Sequence, residues 1–89
     1  MEMKQTNIRF EEGLDYGFVR SNSPEVVRDI YGLSKENRDV VILDIDLFAD
    51  RIKARVPLSM IEQGLLFKDD KGIRKMAISG GNGTVHINH

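Results

Sequence analysis

The chain has no cysteine and no tryptophan, and only two prolines among its 89 residues. Without cysteine there is no disulfide, no thiolate nucleophile and no cysteine–zinc site. Small secreted domains usually depend on such staples, so a cytoplasmic setting is expected. No apolar run approaches the roughly 18 residues of a membrane-spanning helix. The opening MEMKQTNIRF lacks the apolar core of a signal peptide. Excess charge is also missing, because 13 basic residues face 14 acidic ones for a net charge of −1. That balance supplies no overall field to attract nucleic acid or an anionic membrane, so neither is an expected partner. It leaves little repulsion to oppose self-association. Repeats, low-complexity tracts and linkers are absent, and one domain spanning 1–89 is expected.

Several segments carry a clear local pattern. Residues 4–10 alternate weakly, with Ile8 and Phe10 on one side, and 16–20 resume an extended pattern after the turn-like EEGLD, which predicts a first hairpin. In SPEVVRDIYG, Ser23 suits an N-cap, Pro24 the first helical position and Glu25 the positive helix end. Val26, Val27, Ile30 and Tyr31 form an apolar stripe, and Gly32 can stop the helix, giving a helix over 24–31. The β-branched run at 40–46 predicts a strand. So does 51–56, where Ile52, Ala54 and Val56 alternate with Arg51, Lys53 and Arg55. Residues 57–67 read as a short second helix with Leu58, Ile61 and Leu65 on one face. Residues 73–79 and 84–88 read as a hairpin around GGNG, with Met76, Ile78, Val85 and Ile87 on a shared face. The expected fold is α+β: a small single-layer antiparallel or mixed sheet in ββαββαββ order, with two short helices packed on one face. The segments 4–10 and 84–88 are the candidate sheet edges.

Candidate chemistry centres on DVVILDIDL, residues 39–47, where an apolar run ends in Asp44 and Asp46. The stretch resembles the third strand of two-component response-regulator receivers. That resemblance implies a phosphoaccepting role for Asp44, with Glu11 and Glu12 as the Mg²⁺-binding acidic pair and Ser79 as the sensing hydroxyl. The receiver's final strand and lysine have no counterpart in the 89 residues, and one predicted helix lies between Glu12 and Asp44 where the receiver has two and a strand. The pair also resembles the DxD loop of haloacid-dehalogenase-like phosphatases. There Gly-Thr follows the second aspartate, whereas Leu47-Phe48 follow here. The plainer reading places Val41, Leu43 and Ile45 on one strand face and Ile42, Asp44 and Asp46 on the other.

Residues 24–41 resemble a helix-turn-helix, through Val27, Tyr31, Gly32, Leu33 and Val41. The resemblance implies a DNA-binding regulator contacting DNA through Lys35, Asn37 and Arg38. Arg28 and Arg38 depart from the small and apolar residues that the motif uses at those positions. The glycine-rich SGGNGT lacks the lysine and following helix of a phosphate loop and reads as a turn. His86 and His89 would point to opposite faces of a strand and share no metal. No Ser/His/Asp set can be assembled, so no catalytic, cofactor-binding or metal residue is assigned. The function expected is a non-enzymatic protein-interaction or regulatory module, binding a protein partner or a second copy of itself as a homodimer.

Overall fold

Alternation of apolar and polar residues builds the sheet first. The computed structural model describes residues 3–89. In chain order the elements are β1 (Gln5–Phe10), β2 (Tyr16–Ser21), α1 (Pro24–Glu36), β3 (Val41–Asp46), β4 (Arg51–Pro57), α2 (Leu58–Glu62), α3 (Lys71–Ser79) and β5 (Gly83–Asn88). Among the described residues five strands form one sheet in the order β3-β4-β2-β1-β5, with every neighbouring pair antiparallel. The α+β class and the antiparallel sheet expected from the sequence are both present.

The helices cover one face of this sheet. A full cross-strand row runs Ile42, Ala54, Val19, Ile8 and Val85 from edge to edge. Ile8, Val19 and Ala54 are almost completely buried in it. Above the row lie Val26, Val27 and Ile30 of α1, Met60 and Ile61 of α2, and Ile73 and Ala77 of α3. Each fully buried Ile or Val side chain adds about 1.5–3 kcal/mol, so this row and its helix contacts hold the layers together. Gly17 leaves room for the core, since a Cβ there would stand 3.3 Å from Ile8 Cγ2 and 3.5 Å from Phe10 Cε1. At the sheet's end the buried Thr6 and Ser21 hydroxyls hydrogen-bond at 2.7 Å, and Thr6 Oγ1 also meets His89 Nε2 at 2.6 Å.

Several expectations are corrected. α1 does not stop at Gly32. It continues to Glu36 and ends at Asn37, whose backbone N–H and side-chain amide both donate to the Leu33 carbonyl, at 2.9 and 3.1 Å. Ser23 occupies the N-cap position without a side-chain capping bond; its own N–H donates to Ser21 Oγ at 3.0 Å. The second helix is shorter than 57–67, and Leu65 is exposed while Leu66 is buried. Residues 73–79 are helical, so the described residues form three helices in the order ββαββααβ. Ile73 and Ala77, one helical turn apart, are the buried pair, and Ile78 faces outward. Asp70 Oδ1 accepts the Ile73 N–H at 3.0 Å as the N-cap, and Gly80 closes the helix in the left-handed conformation at φ 67°. β5 therefore pairs with β1 rather than with a hairpin partner. This makes β3 and β5 the edges and places β1 inside the sheet.

Asp70→Ala is expected to lower stability by about 1 kcal/mol through loss of the α3 cap. Urea denaturation reads this directly. An unchanged midpoint would contradict a capped helix at this position.

Candidate functional site

The face of the sheet away from the helices is built from the alternate residues of the same strands. Its rows are fixed by the strand register. One row runs Asp44, Lys53, Arg20, Asn7 and His86 across all five strands. The next runs Val41, Arg55, Phe18, Arg9 and Thr84, and beyond it Tyr16 stands opposite Pro57. At the other end Asp46 lies opposite Arg51, and Gln5 opposite Asn88.

Basic and aromatic groups are interleaved here. The Arg9 guanidinium lies 4.6 Å from the Phe18 ring centroid, and the Arg55 guanidinium 5.0 Å from that of Tyr16. The two rings meet edge to face with centroids 5.3 Å apart. Arg9 is also held by Glu11, Nε to Oε1 3.3 Å. Arg55 Nε is buried with no hydrogen-bond partner among the described residues. The Tyr16 ring beside it supplies the guanidinium with a cation–π contact. Arg20 and Lys53 form no ion pair at 4.0 Å or less among the described residues. They border a shallow depression of about 480 Å³ with Gln5, Asn7 and Asp44 on its walls. His86 Nδ1 and Asn7 Oδ1 are hydrogen-bonded at 2.5 Å on the same face.

The outward strand positions are richer in cations than the rest of the chain, although Glu11 pairs with Arg9 and Asp15, Asp39 and Glu62 line the depression beside Tyr16 and Arg55. Five of the 13 basic residues (Arg9, Arg20, Arg51, Lys53 and Arg55) and two of the 14 acidic ones (Asp44 and Asp46) occupy outward positions of these rows, which leaves eight basic against twelve acidic elsewhere. The two aspartates belong to the edge strand β3, so β1, β2 and β4 carry no carboxylate on this face. The opposite side has an acidic groove between α1 and the loop before α3, bordered by Glu25, Asp29, Glu36, Asp69 and Asp70. Partial burial raises the Asp29 pKa above its ordinary value, and Glu25 adds to the rise. Arg28 and Lys68 oppose it.

The residues singled out from the sequence fall in different places. Asp44 is exposed on β3, three strand spacings from β1, on the order of 14 Å. Glu11 and Glu12 follow β1 in its turn, where Glu11 binds Arg9 and the Glu12 N–H donates to Asn82 Oδ1. Ser79 closes α3, donating to the Met76 carbonyl at 3.1 Å. The structure therefore does not gather the four residues into a phosphoacceptor site, and the antiparallel sheet differs from the parallel one a receiver requires. Among the described residues no group of three or more His, Asp and Glu is placed to hold a metal ion. Asp46 has a structural task, since its Oδ1 accepts the Phe48 and Ala49 N–H groups, both at 3.0 Å, and shapes the β3–β4 turn.

The residues of the helix-turn-helix reading lie together at the C-terminal end of α1, but without a second helix. Residues 33–36 continue α1, a turn follows, and β3 starts at Val41, so no second helix exists there. Lys35 Nζ lies 4.4 Å from the Tyr31 ring centroid, Asn37 caps α1, and exposed Arg38 borders a depression shared with Tyr16 and Arg55. The open face itself was missed as a site. Its one sequence signal is the alternation of Arg51, Lys53 and Arg55 with apolar residues, next to the shorter Tyr16-x-Phe18-x-Arg20 pattern. A comparison with protein-family models, curated proteins and solved structures finds no match to this chain.

Proposed function

We propose that the protein is a non-enzymatic binding module whose helix-free sheet face takes an anionic macromolecule. The observation that carries this reading is the side-chain set on β1, β2 and β4: four arginines, a lysine and two aromatic rings, with no carboxylate among them. Guanidinium and aromatic groups bind through charge, hydrogen bonds and stacking, and a guanidinium is a poor general acid or base near neutral pH. That chemistry suits recognition rather than acid–base catalysis. The net charge of −1 does not oppose it. Field at short range is set by the charges facing the ligand, and charges beyond about 8–10 Å are largely screened at physiological salt.

A second reading, self-association, rests on a different surface. The β3 edge is unpaired among the described residues, and Leu43, Leu47 and Phe48 near it are 55%, 56% and 102% exposed. A strand edge beside exposed apolar side chains is a pairing surface for another chain. Phe48→Asp is expected to shift a dimer to monomer in sedimentation velocity without lowering the melting temperature. A wild-type protein that stays monomeric at high concentration would exclude this second reading.

For the main reading the test is heparin affinity. Wild-type protein should be retained at low salt despite its net negative charge. The Arg20→Glu, Lys53→Glu double variant should elute at distinctly lower salt, because both exposed side chains change sign. Passage of the wild type through the column, or elution of the variant at the wild-type position, would overturn the proposal.

A further inference from the structure

The geometry points to single-stranded nucleic acid as the anion, with phosphates held by Arg20 and Lys53 and bases stacked on the guanidinium–ring pairs Arg9–Phe18 and Arg55–Tyr16. This inference rests on the reading of the open face as a polyanion surface. It adds the chemical class of the ligand and the division of the face into two parts.

The first argument is that the rings are surplus to charge recognition. An acidic polypeptide would be satisfied by Arg20, Lys53 and the other cations alone. Phe18 and Tyr16 stand half-buried on the outward side, Phe18 in the same row as Arg9 and Arg55 and Tyr16 in the next. Both already have a guanidinium at their faces, 4.6 and 5.0 Å from the ring centroids. Aromatic rings and arginine guanidinium planes are the two kinds of protein surface on which unpaired bases stack. The Arg55 Nε has no protein hydrogen-bond partner among the described residues, and its guanidinium is held at the Tyr16 ring instead.

The second argument is the arrangement. Phe18 and Arg20 are two residues apart on one strand, about 7 Å, so a base on the Arg9–Phe18 pair leaves its flanking phosphate within reach of the Arg20 side chain. Lys53 is the direct cross-strand neighbour of Arg20, and Asn7 lies on its other side. The cations and the amide thus form one band across β4, β2 and β1. Asp44 and Asp46 on the edge strand β3 bound that band with negative charge, which keeps a phosphate backbone off the sheet edge. A duplex fits this surface poorly, because its bases are stacked on each other and offer no free faces to these pairs.

The test is fluorescence anisotropy with four probes of similar length: a labelled oligothymidylate, an abasic oligonucleotide with the same phosphates, a duplex and polyglutamate. The full 89-residue chain is used at low and at moderate salt. Wild-type protein should bind oligothymidylate roughly tenfold more tightly than the abasic strand, the margin expected of base stacking. Phe18→Leu should erase that margin while leaving the abasic affinity unchanged. Arg20→Gln should weaken both strands alike and reduce the salt slope by about one. Thermal melts check that both variants fold, and Arg20, being exposed, keeps the test open if Phe18→Leu does not. Equal affinity for base-bearing and abasic strands, or tighter binding of the duplex or polyglutamate, would overturn the inference and leave the polyanion reading standing. Failure of all four probes to bind would remove both.

Discussion

Side chains on a strand alternate between two faces, and a slip of one residue exchanges the faces completely. The row Ile42, Ala54, Val19, Ile8 and Val85 is the constraint that prevents such a slip. With Ile8 and Val19 buried against the helices, Arg9, Phe18, Arg20, Lys53 and Arg55 have no other place than the outer face. The Thr6–Ser21 hydroxyl bond and the contact of His89 with Thr6 hold the same register at one end of the sheet. Burial of one set of residues thus positions the other. The strand register thereby fixes which residues share the outer face.

The near-zero net charge conceals this arrangement. A sum over the chain weighs Glu25, Asp29 and Glu36 on the helix side equally with Arg20 and Lys53 on the sheet side. A ligand resting on one face meets only the charges of that face. The five cations are drawn together by strand pairing from β1, β2 and β4, the last two of which are separated in sequence by a helix and a strand.

Local patterns were legible wherever the fold agreed with them. The β1–β2 hairpin, the start of α1 at Pro24, and strands β3 and β4 follow from alternation, β-branching and proline chemistry read within a few residues. The segment 73–79 carries two patterns: Met76 and Ile78 alternate as in a strand, while the burial follows Ile73 and Ala77 at helical spacing. Its two punctuation marks, Asp70 as N-cap and Gly80 as C-terminal stop, were present in the sequence but subordinate to the Asn82-Gly83 turn signal. In β3 a register shift between Ile42 and Asp44 changes the phase of alternation. Ile42 and Ile45 both reach the core, and Asp44 and Asp46 both face out. No single-strand pattern could reveal that bulge. The site was illegible for a related reason: its rows exist only in the non-local order β3-β4-β2-β1-β5, and the aspartates of DVVILDIDL line its border.

The central claim is that the helix-free face is the working surface, and amide chemical-shift mapping tests it most directly. Titration of the isotope-labelled protein with oligothymidylate should move resonances within 5–9, 16–20 and 51–57 and leave those of α1 and the β3–β4 turn in place. Perturbations centred instead on 35–38 or on 43–48, with the three central strands silent, would contradict it.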